Sequence, residues 1–192
     1  MGAPAPEANA SKRGKSTRVG YTYLHTAIDG FSPLAYTEAL DDEKASTTIG
    51  FFCRARTFFA AHGITRLVVV TDNGASYRAQ TFTATITSLA SRHQRICPDT
   101  PRHNGKVERY NRILAEECLY ARSYSSQQQH RDAVAAWNHH DNDHRPHACH
   151  NQPPATRAPA HVTNVMTSYT WVRVSPYPVG VLACFNDWEG VD

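Results

Sequence analysis

A chain of 192 residues, 41% of them hydrophobic, is long enough to form one domain with a sizeable core. Its formal charge of +3, from 20 basic and 17 acidic side chains, is too small to establish a nucleic-acid partner by itself. There is no apolar run of the roughly 20 residues that cross a bilayer, and no apolar signal-peptide core, so we expect a cytoplasmic protein without a membrane partner.

The first half of the chain predicts a hairpin followed by a helix. Residues 1–18 are rich in Ala, Pro, Gly and basic residues without a hydrophobic period, which predicts a disordered basic segment. Strands are predicted at 19–28 and 34–40, joined by the turn signal Asp29-Gly30. Apolar residues at helical spacing predict a helix at 44–62, with Gly63 as its stop.

The second half alternates strands and helices. Residues 66–71 (RLVVVT) form a continuous apolar run, which is typical of a buried central strand. The elements predicted after it are a helix at 79–91, a strand at 95–97, and helices at 106–122 and 127–140. This order indicates a mixed α/β domain with helices packed on a sheet. Residues 158–192 are expected to form a C-terminal tail, within which 171–192 fit either an added β-like segment or an unstructured stretch.

Two carboxylates stand out by position. Asp72 directly follows the apolar strand, and Glu108 lies in the first turn of a helix that follows a glycine-containing loop. Each has an ordinary explanation, because Asp before Asn-Gly is common in turns and Glu in a first turn offsets the helix dipole. A strand end and a helix start can also converge on one divalent cation, as phosphoryl chemistry requires.

The motifs around these carboxylates resemble a known family. The strings TDNG at 71–74 and PRHNGKVER at 101–109 resemble the catalytic core of bacterial insertion-sequence transposases, DDE enzymes of the retroviral-integrase superfamily. The 35 residues between Asp72 and Glu108 match the spacing of that family. Weaker matches follow in the same order: the turn at 29–32, the helix start at 42–45, the segment at 137–147 and the Pro-rich stretch at 151–154.

The resemblance implies a fold, a chemistry and a set of partners. It implies an RNase H-like mixed sheet flanked by helices, with 19–157 as a partial catalytic core, and DNA integration or transposition by strand cleavage and transfer. Two Mg²⁺ (or Mn²⁺) ions would be held by Asp72 and Glu108. DNA contacts are implied for Asn104, Lys106, Arg109 and Arg112. The partners implied are transposon ends, target DNA and further copies of the chain, in the bacterial cytoplasm near the nucleoid.

The resemblance breaks at the first of the family's three carboxylates. That residue normally lies on an upstream first strand, whereas residues 1–18 contain a single acid, Glu7, and no apolar strand. Asp29 falls at the hairpin turn, so we expect it to be a turn residue rather than the missing ligand; completion of the site by Asp29 or another acid is the alternative. We therefore expect a sheet without its first strand, an unpaired strand edge, marginal stability and little or no activity.

Two other interpretations compete with an active enzyme. The chain could be a non-catalytic nucleic-acid-binding remnant or regulator that uses the basic helix around Lys106. A zinc module is the second, because six possible ligands cluster near the end of the chain: His139, His140, His144, His147, Cys149 and His150. No pair-of-pairs spacing supports a closed tetrahedral site, and the five scattered cysteines form no CxxC pair, so we expect packing or solvated residues.

Overall fold

The structure is a computed structural model that describes residues 20–65, 67–89, 92–96, 105–148, 151–158 and 163–174. Predictions for residues 1–18 and for Asn104 lie outside this range. The strands are β1 (Gly20–Asp29), β2 (Ala35–Leu40), β3 (Leu67–Thr71), β4 (Arg92–Arg95) and β5 (Thr163–Val174). The helices are α1 (Ala45–Ala61), α2 (Ala75–Arg78), α3 (Gln80–Ser88), α4 (Gly105–Leu114) and α5 (Gln127–Asp143). No helix in the described ranges has both the length and the apolar character needed to span a bilayer.

The five strands form one mixed sheet in the order β2-β1-β5-β3-β4. β1 is antiparallel to β2 and to β5, while β3 is parallel to β4 and to β5. The apolar run predicted as a buried central strand is β3, which has a paired neighbour on each side. The prediction of a mixed sheet with helices packed on it is confirmed.

The C-terminal strand β5 corrects two predictions. Residues 163–174 were assigned to a tail, but they form the middle strand of the sheet. The expected unpaired edge beside β1 is also absent, since every residue from Gly20 to Asp29 has a partner on β5. Local patterns did not predict this strand, because its pairing partners lie more than 90 residues away in the sequence.

The β1–β2 hairpin is confirmed, but its turn is longer than the two residues Asp29-Gly30. Ile28 pairs with Ala35, and the Asp29 backbone N–H donates to the Leu34 carbonyl at 2.8 Å. The Asp29 side chain accepts hydrogen bonds from the backbone N–H and the hydroxyl of Ser32, at 2.6 and 2.7 Å. These bonds make Asp29 an Asx-type turn residue.

The end of α3, the position of β4 and the end of α4 differ from the prediction, whereas the end of α1 agrees with it. α3 ends at Ser88 and β4 covers Arg92–Arg95, earlier than the predicted strand at 95–97, because Arg92 pairs with Val68 of β3. The helix predicted at 106–122 is α4 followed by a π-helical turn at Ala115–Leu119, in which the Tyr120 N–H donates to the Ala115 carbonyl. α1 ends as predicted, with Gly63 at a positive φ of 84°.

Apolar side chains cover both faces of the sheet. One core lies under α4 and α5 and includes Leu24, Ile28, Val107, Leu114 and Val134. The other lies under α1 and α3 and includes Ala27, Phe52, Val69, Phe82 and Val165. Alternate residues of β1 therefore enter opposite cores, as expected for a strand covered on both faces.

Amide side chains on α5 fasten that helix to the edge strand β2. Asn142 accepts from the Ala35 N–H at 2.9 Å and donates to the Ala35 carbonyl at 2.7 Å. Asn138 donates to the same carbonyl at 3.0 Å and to the Tyr110 hydroxyl at 2.7 Å. The Trp-Asn segment therefore holds the edge strand and α4 together.

We expect Asn142→Ala to lower the free energy of unfolding by about 2 kcal/mol, because it leaves the buried Ala35 N–H without its side-chain partner and the Ala35 carbonyl with Asn138 alone. Urea denaturation measures the loss. The matched control is Gln128→Ala on the exposed face of the same helix, where Gln128 bonds Asp132 at 2.8 Å. Equal losses in the two variants would show that the contact of Asn142 with β2 is not important for stability.

Candidate active site

Asp72 lies at the carboxyl end of β3, where the chain turns into α2. Its carboxylate accepts the Gly74 N–H at 2.8 Å, which closes a tight turn before α2 begins at Ala75. The preceding strand end is held to β4, because the Thr71 carbonyl accepts the Ile96 N–H at 2.9 Å and the Thr71 hydroxyl lies 2.9 Å from His93 Nε2. Asp72 therefore occupies a fixed position at the edge of the sheet where ligands of α/β folds often bind.

The electrostatics of Asp72 are dominated by its partial burial. Burial raises the pKa of this carboxyl, and the Gly74 N–H acts in the opposite direction by lowering it. A nearby cation stabilises the ionised form of a half-buried carboxylate more than that of an exposed carboxylate, because the cation offsets the hydration lost on burial.

Helix α4 carries Glu108 in its first turn and packs its apolar face on the sheet. The buried side chains at helical spacing are Val107, Tyr110, Asn111 and Leu114. Asn111 is the polar exception, and it accepts a buried hydrogen bond from the Thr26 hydroxyl of β1 at 2.9 Å. This bond fixes the rotation of α4 about its axis relative to the sheet.

The rotation of α4 determines the direction in which the Glu108 flank points. On one side, Tyr110 lies 2.8 Å from the Thr37 hydroxyl of β2, and Asn111 next to it bonds Thr26 of β1. Glu108 precedes Asn111 by three positions, so it lies beyond Asn111 on the flank away from β2. α4 also contacts β5, which lies between β1 and β3 in the sheet.

The register of β5 shows which residue of the central strand is level with Asp72. Thr71 pairs with Thr167, so Ser168 is level with Asp72, and Ser168 in turn pairs with Thr26. The sequence of β5, TNVMTSYTWVRV, contains no Asp or Glu. The central strand therefore brings no carboxylate to the level of Asp72.

Asp29 is not at this position. It pairs with Val165, which pairs with Val69, whereas Asp72 is level with residue 168. Three residues along a strand correspond to about 10 Å, in addition to the width of two strand spacings. Asp29 is thus a turn residue that lies three register positions away from the level of Asp72 and two strands across the sheet.

The donor set found in the described residues is incomplete for a metal site. No three His, Cys, Asp or Glu side chains come close enough together to hold an ion within the described ranges. In the histidine-rich segment, His139 pairs with Asp143 at 2.7 Å and His147 lies 3.4 Å from Asp141. Cys149 and His150 lie outside the described residues.

The basic residues implied in DNA contact lie on the outer side of α4. Arg109 and Arg112 are exposed, and the exposed Lys106 donates from its ammonium group to the Gly30 carbonyl of the hairpin turn. Asn104, the fourth implied contact, lies outside the described residues. The three described cations line the helix that also carries Glu108.

The sequence did not single out Asn111, Thr26 or Ser168. Asn111 left one signal, since it is a polar residue at a core position of an otherwise apolar helix face. Thr26 and Ser168 are ordinary strand residues, and only their register shows that they lie beside the candidate site.

Comparison with known families identifies this arrangement. Two family models, each described as an Integrase core domain, match residues 10–101 and 89–154. The chain belongs to the DDE transposase/integrase family. The first match contains Asp72 and the second contains Glu108, so the family assignment covers both candidate carboxylates.

Curated relatives of this DDE transposase/integrase core come from mobile elements. An uncharacterized 39.2 kDa protein of insertion element IS476 from Xanthomonas euvesicatoria is 36% identical over 88 residues, covering 45% of this chain and 25% of that protein. A retrovirus-related Pol polyprotein from transposon TNT 1-94 of Nicotiana tabacum is 41% identical over 46 residues, covering 24% of this chain and 4% of the polyprotein. The chain spans about a quarter of the first relative and far less of the second.

Solved structures of retroviral integrases share the fold. The simian T-cell lymphotropic virus intasome, in complex with PP2A regulatory subunit B56 gamma, matches with a TM-score of 0.59 and 24% identity, covering 71% of this chain and 48% of that chain. The HTLV-2 integrase catalytic core domain in complex with magnesium matches with a TM-score of 0.54 and 18% identity, covering 72% and 85%. The BIV integrase catalytic core domain gives a TM-score of 0.54 at 20% identity, covering 70% and 84%. These likenesses confirm the RNase H-like fold.

In metal-free buffer, we expect Asp72→Asn to stabilise the chain at pH 7. Since burial raises the pKa of Asp72, the folded chain binds this proton more tightly than the unfolded chain, and the ionised carboxylate weakens folding as the pH rises through its pKa. The gain measured by urea denaturation should shrink as the pH falls toward about 4. Asp132→Asn, at an exposed site on α5, is the control, and a similar gain there would contradict the explanation.

Proposed function

We propose that this chain is the catalytic-core part of a transposase that acts on DNA, and that by itself it is nearly or wholly inactive. In the proposed reaction class, divalent metal ions support cleavage and transfer of DNA strands. Asp72 and Glu108 are the proposed metal ligands, and Asn104, Lys106, Arg109 and Arg112 the proposed DNA contacts. The whole enzyme would act as an oligomer on transposon ends and target DNA.

The observation that carries the proposal is the position of Asp72 at the carboxyl end of β3, with Glu108 in the first turn of a helix packed on the same sheet. Asp72 follows β3 directly, and Glu108 lies in the first turn of α4, a helix that the bond between Thr26 and Asn111 holds on the same sheet. Oxygen ligands from a strand end and a helix start suit Mg²⁺ or Mn²⁺. The curated relative from an insertion element supports transposition as the process.

The proposed inactivity follows from the incomplete donor set. A pair of ions needs more oxygen ligands than two carboxylates supply, and β5 adds no acidic residue at the level of Asp72. The metal pair therefore does not fit the described residues as they are. Exposed cations on α4 can still neutralise phosphates, so DNA binding without cleavage is the second candidate function.

A cleavage assay tests the proposed inactivity. With supercoiled and linear DNA in Mg²⁺ or Mn²⁺, we expect the purified chain to nick or join strands no faster than its Asp72→Asn variant. Fluorescence anisotropy with labelled duplex DNA should detect salt-dependent binding in both. Robust cleavage that Asp72→Asn abolishes would refute the inactivity and point to a ligand outside the described residues.

A carboxylate at position 168 should create the missing ligand. Ser168 is level with Asp72 on the neighbouring strand, and adjacent strands lie about 4.8 Å apart. We expect Ser168→Asp to tighten Mn²⁺ binding at least tenfold, about 1.4 kcal/mol, as measured by calorimetry or by the resonance signal of free Mn²⁺.

Two variants make this measurement specific. Ser168→Asn has nearly the same shape as the aspartate without its charge, so it should leave Mn²⁺ binding at the level of the unaltered chain. Adding Asp72→Asn to Ser168→Asp should remove the gain. If a folded Ser168→Asp variant binds Mn²⁺ no better than Ser168→Asn, position 168 does not face Asp72 and Glu108.

A further inference from the structure

The slot between β1 and β3 has the properties of a strand-binding site. On one side, Gly20–Asp29 of β1 pairs along its whole length with β5, antiparallel; on the other, Leu67–Thr71 of β3 pairs along its whole length, parallel. Without β5 the sheet would separate into a β1–β2 pair and a β3–β4 pair. Two facing rows of backbone donors and acceptors would then lie unpaired in the middle of the domain.

The occupant of the slot is attached to the other described elements at one end. β5 is preceded by a short 3₁₀ helix, Pro154–Arg157, and no described element follows it. Arg157 anchors this helix at the mouth of the slot, where its guanidinium lies 4.9 Å from the centre of the Phe31 ring and 3.4 Å from the Phe31 carbonyl. These two contacts tie the 3₁₀ helix to the hairpin turn independently of the backbone pairing of β5.

Side-chain packing adds to the backbone pairing. Val165 is 1% exposed and belongs to the apolar core under α1 and α3, with Ala27 and Val69 on the flanking strands. The slot thus selects its occupant by length, by direction and by an apolar residue at a defined register. A peptide strand that meets these conditions needs no covalent link to the rest of the chain.

We propose that this slot binds the segment Thr163–Val174 non-covalently, and that it accepts the segment from a second copy of the chain as well as its own. The second copy is the occupant favoured by the structure, because its β5 reproduces every register partner. The proposal concerns the sheet and does not depend on whether the chain cleaves DNA.

Cleaving the connection tests the proposal on the folded full-length chain. Residues 159–162 are replaced by a protease recognition sequence, and the protein is cleaved after folding. We expect residues 163–192 to co-elute with the larger fragment on size exclusion and in native mass spectrometry. Release of this fragment while the circular dichroism of the rest stays unchanged would overturn the proposal, since the slot would then have no affinity for the strand.

Exchange is then measured by adding an excess of a fluorescent peptide of residues 163–174 to the cleaved protein. We expect saturable binding that displaces the original segment. A peptide with Val165→Pro should bind at least tenfold more weakly, because proline removes a ladder hydrogen bond. Equal binding of the two peptides would overturn the proposed register.

Two measurements on the uncut chain complete the test. Native mass spectrometry of co-refolded heavy- and light-isotope chains should detect dimers of mixed mass, and monomers alone at every concentration would exclude exchange between copies. The variant Val165→Lys should lose cooperative thermal unfolding. An unchanged Tm in that variant would show that β5 does not occupy the slot.

Discussion

The fold depends on the pairing of one strand with two others that are far away in the sequence. β5 supplies backbone partners to the whole of β1 and of β3, which otherwise have no contact as neighbouring strands. Backbone N–H and C=O groups in a sheet interior must be paired, because leaving them unsatisfied costs more than a typical hydrogen bond contributes. The two apolar cores, the edge strand β2 and the helices on both faces are all built on the continuous sheet that this strand creates.

Polar contacts between this sheet and the helices packed on it position the candidate site. Thr26 of β1 pairs with Ser168 of β5, and its hydroxyl donates a hydrogen bond to Asn111 of α4. On the other side, Asn138 and Asn142 attach α5 to β2, and Asn138 also bonds Tyr110 of α4. A buried polar network of this kind has one arrangement that satisfies its members, so it fixes the helix rotation more tightly than apolar packing does.

Much of this structure was accessible from the sequence. Hydrophobic periodicity located β1, β2, β3, α1 and α5 to within a few residues, because each has a pattern that matches its own burial. The motifs around Asp72 and Glu108 identified the family. β5 was missed because strand pairing over a long separation leaves no local pattern. The predicted position of β4 was displaced because RHQR is polar throughout and mostly exposed, with only His93 partly buried. Asn111 and Thr26 became visible only through the contact between them.

The central strand has to meet two separate requirements, and β5 meets one of them. Folding needs an extended segment whose backbone N–H and C=O groups can pair with both neighbouring strands and whose apolar residues alternate. Many sequences provide such a segment. The proposed metal chemistry would need a further carboxylate level with Asp72, where this chain has Ser168. A sheet can therefore close around a strand that carries no acidic residue, because backbone pairing and apolar packing do not require one. Membership of the family follows from the fold and the motifs, whereas in the proposed function activity would require a carboxylate that the middle strand does not carry.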